Sequence, residues 1–487
     1  MIPEIKTITK ISPDQSVVCV VGGDSIPDSI QLSKSEIEYV SSKLADKADT
    51  VLVNSYFKFT YIIRVDKNKP LYQVHEAIRK AASTIKGEIK SNKHQELVIT
   101  SDGTIAGAAL AFAEGYILGI YSFERYLTKS GKEGKKNSLP SRLIIAEKAD
   151  KEEITWLQEL CSAVYKTRDL INEPPNHLNA PVLAKEIKKM GNEAGFSVEI
   201  LTKGKIEALK MGGLLAVNRG SVDPPVFCIL EWKPSKAVNK KPVVLVGKGI
   251  IYDTGGLNIK TGEYMAQMKG DMAGAATVSG VMYTLAKTKV PMHVIALVPA
   301  TDNRPGGNAY TQGDILTMHN GTTVEVGNTD AEGRLILADA ISYAGRFNPE
   351  LIINIATLTG SAAMAFGNLA IATMGNAGED YFATLGECGE RVYERIARMP
   401  FWEEYGELIK SDIADLKNVG GREAGAITAG KFLETFTPYP FIHLDIAGTG
   451  LLKKDDFYRI KEGPGSGLRL LATFIRELSH TKKKTKK

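Results

Sequence analysis

Cysteine is scarce in this sequence. Its four cysteines, Cys19, Cys161, Cys228 and Cys388, are spread over 487 residues and form no CxxC pair and no metal-finger spacing. The first three have apolar neighbours, which is typical of reduced thiols in a protein core. A chain without a disulfide framework suits a reducing compartment, so we expect a cytoplasmic protein.

Long apolar runs are missing as well. No window holds 18 consecutive apolar residues, because the best candidates are interrupted by Glu114 and Asn368, and a membrane-spanning helix needs about 20. The first twenty residues, MIPEIKTITKISPDQSVVCV, carry charges where a signal peptide needs an uninterrupted apolar stretch. The sequence therefore predicts neither export nor membrane insertion.

The body of the chain lacks an excess of either charge. The sequence has 61 Lys and Arg against 56 Asp and Glu, a net charge of +5, and five of its last six residues are Lys. Without those five lysines the balance is zero, and we predict that residues 481–487 form a basic disordered tail. A neutral body gives no reason to expect a nucleic-acid groove, so nucleic acid is not an expected partner.

The first 150 residues alternate short apolar runs with amphipathic stretches, a pattern typical of strands interleaved with helices. With 43% hydrophobic and 24% charged residues, the chain has enough apolar material for two or three globular domains. The predicted strands are Ser16–Gly22, Thr50–Val65, Glu96–Ser101 and Ser141–Ala149, and the predicted helices are Ser33–Ala45, Tyr72–Ile89 and Thr104–Phe123. Residues 131–137 (GKEGKKN) are predicted to form a surface loop. We interpret residues 1–150 as an N-terminal α/β domain.

A connecting helix is predicted over residues 151–173, where Pro174 and Pro175 stop the helical spacing. Residues 174–480 alternate again, and their near-continuous Val/Ile/Leu runs are typical of strands covered by helices on both faces. The predicted strands are Val243–Val246, His293–Pro299, Leu351–Leu358 and Phe441–Ile446, and the predicted helices are Gly274–Lys287, Leu335–Arg346, Tyr381–Arg398 and Gly467–Leu478. The second domain is therefore predicted to be a larger α/β domain with a central mixed sheet flanked by helices.

Carboxylates and lysines cluster in two segments next to predicted strands, 246–276 and 327–335. In the second segment Asp330, Glu332 and Arg334 lie two residues apart, so in an extended stretch they would point the same way. We expect such a stretch before a helix that starts at Leu335. Two carboxylates and an arginine on one side are a poor structural choice unless a cation lies between them.

The first segment adds Asp253 and Asp271, each beside small residues that let a backbone approach a bound group. It also carries Lys248 and Lys260. Because neither segment contains histidine, hard divalent cations shared between carboxylates are the natural partners. Two such ions close together activate a bridging water and polarise a carbonyl.

Other interpretations of these segments are weaker. An isolated Asp-Thr-Gly-Gly is more often a turn than a metal site. No phosphate-binding GxxxxGK[ST] occurs, and Tyr252 replaces the third glycine of a dinucleotide fingerprint that would begin at Gly247. A serine hydrolase would need a GxSxG motif, which is absent.

At these residues the sequence resembles the leucine aminopeptidase (cytosol aminopeptidase) family of two-metal exopeptidases. The octapeptide Asn328–Leu335 (NTDAEGRL) matches the signature of that family, and the elements YDTGG, NIK and MKGDMAGAA match in order and spacing. RDLINEPPN at Arg168–Asn176 and HLDIAG at His443–Gly448 match outside the site. The resemblance covers roughly residues 165–480.

The resemblance implies a role for each matching position. Five residues would hold two metal ions, Zn or Mn: Lys248, Asp253, Asp271, Asp330 and Glu332. Asp253 and Glu332 would bridge both ions, and Lys260 and Arg334 would be catalytic. Residues matching the substrate-binding pocket are Met268, Asn328, Thr357 and Gly360.

The implied activity is that of a metal-dependent aminopeptidase, which releases leucine and other apolar residues from peptides with a free N-terminus. A metal-bridging hydroxide would attack the peptide, and bicarbonate held at Arg334 would act as the general base. The resemblance also implies a homohexamer. Thr449-Gly450 stand where relatives often carry a larger apolar residue, which leaves the preference for leucine open.

Three alternatives stay open. The first is a narrow dipeptidase, for example one acting on cysteinylglycine, which turnover of Leu-, Met- and Cys-Gly substrates would distinguish. The second is a nucleic-acid-binding or architectural role, which deletion of Thr481–Lys487 and salt-dependent DNA binding would test. The third, a catalytically dead relative, has little support, because all seven expected metal-binding and catalytic residues are present.

Overall fold

A computed structural model of the chain describes residues 2–128 and 139–485. The chain divides into two compact units. The first unit comprises Met1–Tyr165 and Asp455–Ile460, and the second comprises Lys166–Lys454 and Lys461–Lys487. The predicted loop at 131–137 lies outside the described residues.

The first unit is built on a six-stranded sheet with the order β1-β6-β5-β2-β4-β3. Only β3 and β4 are antiparallel, and every other neighbouring pair is parallel. The strands are β1 Glu4–Thr7, β2 Val17–Val21, β3 Thr50–Asn54, β4 Phe59–Arg64, β5 Glu96–Ser101 and β6 Arg142–Ile145; the helices are α1 Lys34–Ala45, α2 Leu71–Thr84, α3 Lys86–Ser91 and α4 Ala108–Gly119. The run VVCVV of β2 is buried throughout, as expected for a central parallel strand.

Two predicted elements of this unit are each divided in the structure. The predicted strand Thr50–Val65 is an antiparallel hairpin of β3 and β4, because Tyr56 takes a left-handed conformation with φ 65° and the amide of Ser55 donates to the carbonyl of Lys58 at 3.0 Å. The predicted helix Tyr72–Ile89 is the pair α2 and α3, which meet at Ile85. Apolar periodicity continues through both breaks, so the pattern alone could not locate them.

Helix α5, Lys151–Asn172, begins in the first unit and ends in the second. It stops before Pro174 and Pro175, since proline lacks the amide hydrogen that a continuing helix needs. Near its end the buried Arg168 donates through Nε to the carbonyl of Pro464 at 2.9 Å. This bond fixes the end of α5 within the second unit.

The second unit contains a nine-stranded mixed sheet with the order β16-β15-β18-β14-β9-β11-β8-β7, with β10 also paired to β11. Its centre, from β18 through β14 and β9 to β11, is parallel. The strands are β7 Ser197–Leu201, β8 Val226–Trp232, β9 Val243–Gly247, β10 Gly249–Asp253, β11 Val294–Asn303, β14 Leu351–Ala356, β15 Ile371–Gly375, β16 Ile396–Arg398 and β18 Phe441–Asp445. A separate three-stranded sheet joins β12 Ile315–Thr317, β13 Thr323–Glu325 and β17 Leu416–Lys417.

Helices pack around this sheet. Among them, α9 is buried over nearly its whole length and contacts β9, β11 and β14. The helices are α6 Ala180–Ala194, α7 Lys203–Ala208, α8 Gly212–Asn218, α9 Ala273–Lys287, α10 Glu332–Ala344, α11 Gly360–Phe366, α12 Glu379–Val392, α13 Glu404–Glu407, α14 Gly425–Glu434 and α15 Leu468–Thr485; short 3₁₀ helices lie at Gly262–Met265, Met268–Gly270 and Gly345–Phe347. The predicted fold class, α/β with a central mixed sheet flanked by helices, is confirmed.

The end of the second unit differs from the sequence expectation. The predicted final helix ends at Leu478, whereas α15 continues to Thr485. Lys482 of the predicted tail lies on this helix, and its Nζ is 3.1 Å from Oε2 of Glu350. Residues 486 and 487 lie outside the described part of the chain.

Among residues 2–128 and 139–485, no helix is both long enough and apolar enough to cross a bilayer.

Candidate metal centre

Lys248 lies at the joint between two strands. β9 and β10 pair one after the other with the same strand, β11, and Lys248 is the single residue between them. Its backbone is held on both sides, since its amide donates to Ile355 O at 3.2 Å and its carbonyl accepts from Ala275 N at 2.8 Å. The side chain is 3% exposed, so the fold buries a lysine at the carboxyl end of β9.

The flanking glycine Gly247 explains how helix α9 comes so close. A Cβ at Gly247 would lie 2.5 Å from the carbonyl oxygen of Gly274 in α9. Any larger residue would push the helix away from the strand. Gly247 is thus required for the close packing of α9 against β9.

Asp253 ends β10 and is 2% exposed. Its Oδ1 accepts from Asn303 Nδ2 and from the amide of Gly255, each at 2.8 Å. Gly255 and Gly256 take left-handed φ values of 87° and 65°, which glycine adopts without strain. The chain therefore turns directly after Asp253 and leaves its second oxygen, Oδ2, directed at Lys260 at 2.9 Å.

The sequence prediction of an extended 330–334 stretch is wrong for its second half. Helix α10 begins at Glu332, not at Leu335, so Glu332 and Arg334 lie in its first turn. A glutamate in the first turn is favoured by the partial positive charge of a helix N-terminus. Asp330 lies before the helix, where its amide donates to Asn328 Oδ1 at 2.8 Å.

Asp271 comes from the other side of the site, directly after the 3₁₀ helix Met268–Gly270. It is 4% exposed and accepts from Thr357 Oγ1 at 2.7 Å and from Lys248 Nζ at 2.8 Å, both through Oδ1. Thr357 follows β14, so two neighbouring strand ends and one loop converge here.

The structure brings the five predicted metal-binding residues into one cluster. Carboxylate oxygens of Asp253, Asp330 and Glu332 lie within 4.8 Å of one another. Lys248 Nζ joins Asp271 to this group, because it is 2.7 Å from Asp271 Oδ2 and 2.9 Å from Glu332 Oε1. The predicted catalytic Lys260 lies at the other side, 2.5 Å from Asp330 Oδ1.

Burial makes this crowding costly. Desolvation raises the pKa of Glu332 above its ordinary value, and the neighbouring charge of Asp253 raises it further. Desolvation alone would lower the pKa of Lys248, but the charges of Asp271 and Glu332 outweigh it and hold the pKa above its usual range. Both shifts express an excess of negative charge in a dry pocket, where added cations are strongly favoured.

One oxygen shows the excess most directly. Glu332 is 1% exposed, and its Oε2 has no hydrogen-bond partner among the described residues. A buried carboxylate oxygen without a donor is unfavourable by about 1–3 kcal/mol or more. These carboxylate oxygens lie close together, and one of them has no hydrogen-bond partner. They are the type of ligand that divalent metal ions prefer.

Arg334 lies on the first turn of α10 with its guanidinium buried. One nitrogen, Nη1, donates to the carbonyl of Asn418 at 2.8 Å, and Nε has no partner among the described residues. Burial lowers the pKa of Arg334 to about 10, and the guanidinium stays charged at neutral pH. It is an unsatisfied buried donor that could receive a small anion.

The four predicted pocket residues are placed unequally. Thr357 contacts Asp271 and, through its carbonyl, Lys248 Nζ at 3.0 Å. Asn328 caps the amide of Asp330. Met268 is half-buried in the 3₁₀ helix before Asp271, and exposed Gly360 begins α11 with no heavy atom within 4 Å of where a Cβ would lie. The carbonyl of Met268 accepts from the amide of Asp271 at 3.3 Å, so the backbone of Met268 contacts a predicted metal-binding residue.

Sequence reasoning missed the asparagines and the threonine that hold the cluster. Asn303 bridges Asp253 and the carbonyl of Thr329, and the Thr329 hydroxyl donates to Gly255 O at 2.7 Å. Asn258 accepts from the amide of Thr329 at 2.9 Å. Asn303 is the last residue of β11 and lies beyond the predicted strand His293–Pro299, so the sequence offered no signal for it. Asn258 lies in the NIK element, and its position beside Lys260 was the available signal.

The second unit holds a cluster of buried carboxylates near strand ends, and their geometry fits divalent cations. The protein is therefore a candidate metalloenzyme. The catalytic-domain model of the cytosol aminopeptidase family matches residues 165–472. A probable cytosol aminopeptidase of Chloroherpeton thalassium is 43% identical over 398 residues, 77% of each chain. One of Chlorobaculum tepidum is 44% identical over 384 residues, 76% of this chain and 75% of the relative.

A solved structure is also similar over nearly the whole chain. The bottromycin maturation enzyme BotP in complex with Mn superimposes with a TM-score of 0.83 at 26% identity, covering 96% of this chain and 100% of BotP. The chain belongs to the cytosol aminopeptidase family. It is a hydrolase of the leucyl aminopeptidase type, a class of peptidase that removes N-terminal residues.

Proposed function

We propose that this protein is a metal-dependent aminopeptidase that cleaves apolar residues, leucine among them, from the free N-terminus of peptides. The observation that carries the proposal is the cluster of Asp253, Asp330 and Glu332, whose carboxylate oxygens lie within 4.8 Å of one another while Glu332 Oε2 has no partner. Membership of a metal-dependent peptidase family supports the same reaction.

Five residues would hold two divalent ions, Zn or Mn: Lys248, Asp253, Asp271, Asp330 and Glu332. When bound, such ions activate water for attack on the scissile carbonyl and stabilise negative charge on its oxygen. The Mn bound to the structural neighbour supports Mn as one candidate.

Lys248 has the most unusual of these roles. It could act as a ligand only as a neutral amine, and loss of its proton at pH 7 from an ordinary pKa near 10.4 is unfavourable by about 4.6 kcal/mol. The side chain is 3% exposed, and it lies between two carboxylates that a bound ion would engage in its place. We expect the variants Lys248→Arg and Lys248→Met to be inactive.

Lys260 would bind the substrate and not the metal. Its side chain is 16% exposed, and the charges of Asp253 and Asp330 help to hold its pKa above the ordinary value although burial opposes them. It therefore stays an ammonium group. That ammonium would donate a hydrogen bond to the carbonyl oxygen of the scissile peptide bond as negative charge develops there.

Arg334 would hold a bicarbonate ion as the general base. The support for this assignment is its buried Nε, which lacks a partner, together with the absence of histidine from both site segments. A positive guanidinium would also orient the anion toward the proton that it must accept.

The substrate side chain would enter near Met268, Asn328, Thr357 and Gly360. A Cβ at Gly450 would lie 2.9 Å from Thr357 Cγ2, so the small residue keeps this part of the pocket open. Comparison of Leu-, Met- and Cys-Gly substrates would separate a broad aminopeptidase from a narrow dipeptidase. The family resemblance also supports a cytoplasmic homohexamer, which sedimentation would test.

The proposal is tested with metal analysis and leucyl-anilide hydrolysis on the wild type, Asp253→Ala and Lys260→Met. We expect Asp253→Ala to lose bound metal and activity together. Lys260→Met should keep its metal and lose about 10²–10³ in kcat, the usual effect of removing one donor to a developing oxyanion. An active, metal-free Asp253→Ala protein would overturn the mechanism.

A further inference from the structure

Asn418 is a buried asparagine outside every motif singled out in the sequence. It follows the short strand β17, which pairs with β13 through Val324 and Glu325, and it is 0% exposed. Its own amide donates to Glu325 O at 3.0 Å. The separate three-stranded sheet thus delivers this side chain to the segment that carries Asp330 and Glu332.

The side-chain amide of Asn418 makes four hydrogen bonds to that segment. Its Oδ1 accepts from the amides of Gly327 at 2.8 Å and Asn328 at 3.2 Å. Its Nδ2 donates to the carbonyls of Asn328 at 2.8 Å and Ala331 at 3.4 Å. The side chain therefore contacts the backbone on both sides of Asp330.

The backbone of Asn418 adds a contact to the catalytic candidate. Its carbonyl oxygen accepts from Arg334 Nη1 at 2.8 Å. One residue consequently fixes the loop before α10 and the arginine on its first turn. Asp330 and Glu332 lie between these fixed points.

We propose that Asn418 is a positioning residue for the metal centre. Its amide sets the backbone of residues 327–331 so that Asp330 and Glu332 face the cation site, and its carbonyl orients Arg334. The inference rests on the proposed function, because it assigns a role toward the ions that these carboxylates would hold. Residues that orient metal ligands commonly change metal affinity or activity 10- to 100-fold when they are replaced.

Only an amide satisfies this environment. In Asn418→Asp the shape is kept, but a carboxylate oxygen replaces Nδ2 and faces the carbonyl oxygens of Asn328 and Ala331. Repulsion between these acceptors would displace the loop, while the two bonds accepted from Gly327 and Asn328 amides could persist. The substitution therefore tests the donors and not the packing.

Asn239 provides a matched control in the same unit. It is 8% exposed, its Nδ2 donates to the carbonyls of Lys241 and His293 at 2.8 and 2.9 Å, and its Oδ1 accepts from His293 N at 2.8 Å. It thus clamps backbone as Asn418 does, but at the amino ends of β9 and β11. Asn239→Asp should destabilise the fold without reaching the site.

The experiment measures Mn²⁺ binding to the metal-free full-length proteins by calorimetry, together with kcat, KM and the thermal midpoint. We expect Asn418→Asp to bind Mn²⁺ at least about tenfold more weakly and to lose about 10- to 100-fold in kcat with a smaller change in KM. Asn239→Asp should stay within about twofold of the wild type in Mn²⁺ affinity and in kcat, even if its thermal midpoint falls as far as that of Asn418→Asp.

Equal Mn²⁺ affinity and kcat in the two variants would overturn the positioning role while leaving the proposed function intact. A wild type that binds no Mn²⁺ and cleaves no leucyl anilide would overturn both. If Asn418→Asp fails to fold, Asn418→Ser decides the matter, because the shorter hydroxyl cannot replace the paired Oδ1 and Nδ2 contacts and adds no charge. Wild-type Mn²⁺ affinity in that variant would refute the role.

Discussion

The two units both place acidic residues at the carboxyl ends of parallel strands, but they use them differently. In the first unit Asp102 follows β5 and accepts from the amides of Gly22 at 2.8 Å and Thr104 at 2.9 Å. Glu147 lies just beyond β6 and accepts from Ser101 Oγ at 2.7 Å. These carboxylates serve as acceptors that hold loops together.

In the second unit a carboxylate oxygen of the site is buried without a hydrogen-bond donor among the described residues. Asp253, Asp330 and Glu332 converge within 4.8 Å, and Glu332 Oε2 is left without a donor. An acidic residue at a strand end therefore does not by itself indicate a ligand site. The informative feature is a buried carboxylate oxygen that has no hydrogen-bond partner among the described residues.

The largest expected effect comes from exchanging one carboxylate for an amide in each unit. Glu332→Gln removes the charge of a proposed bridging ligand, and we expect kcat/KM for leucyl anilide to fall by at least about 10³, equivalent to about 4 kcal/mol. Asp102→Asn should change kcat/KM by less than about twofold and lower the free energy of unfolding by about 1–3 kcal/mol. Similar kinetic losses in both variants would abolish the distinction between the units.

A smaller effect is expected when a ligand is displaced without a change of charge. A Cβ at Gly333 would lie 2.4 Å from Lys248 Cε and 2.7 Å from its Nζ, and the buried lysine has little room to retreat. We expect Gly333→Ala to weaken metal binding and activity by about 10- to 100-fold, as measured by Mn²⁺ titration and kcat/KM.

The control for this substitution lies in the first unit. Gly87 is in α3 with no heavy atom within 4 Å of where a Cβ would lie. Gly87→Ala should leave both measurements within about twofold and raise stability by up to about 1 kcal/mol through helix propensity. Wild-type metal affinity in Gly333→Ala would argue that Lys248 is not a ligand.

The smallest effect concerns buried histidines. Burial, with a contribution from the charge of Arg334, lowers the pKa of His443 to about 3, so the unfolded chain gains a proton below about pH 6.5 that the folded chain does not bind. Stability from this group is complete above pH 6.5 and falls by about 1.4 kcal/mol per unit as the pH drops toward 3. His443→Gln should flatten the change in urea midpoint between pH 7 and 5.5.

The first unit offers the comparison for this titration. Burial also lowers the pKa of His94, whose Nε2 lies 3.1 Å from the Tyr61 hydroxyl. His443 is 0% exposed and His94 is 8% exposed, so we expect His94→Gln to flatten the profile less than His443→Gln does. An unchanged slope in His443→Gln would mean that this histidine does not resist protonation in the fold.

The sequence predicted the central strands of the fold best, because their apolar runs are continuous. Predicted Val243–Val246 and observed Val243–Gly247 differ by one residue. The strand Ser197–Leu201 was missed although its exposed and buried residues mostly alternate, since five residues with one exposed glutamate give a weak signal. Strand Val226–Trp232 was also missed despite a strong apolar run.

In the site, the types of the metal-binding residues are predictable from the sequence, whereas the residues that hold them in place are not. Carboxylates without histidine indicate divalent cations from the sequence alone. The start of α10 at Glu332 depends on tertiary contacts of the preceding loop, which periodicity does not encode. Asn303 and Asn418 read as ordinary polar residues, because their partners are 26 to 91 positions away in the chain.

The six residues Asp455–Ile460 return to the first unit after nearly three hundred residues spent in the second. There the Tyr458 hydroxyl and Arg459 Nη2 donate to the buried carboxylate of Glu76 at 2.6 and 2.9 Å. A gene cut after codon 165 would therefore leave the first unit without six of its residues, which the second fragment would carry beside a complete second unit. Each product would lose half of a buried ionic contact, so the protein cannot be dissected into independent modules by a single break.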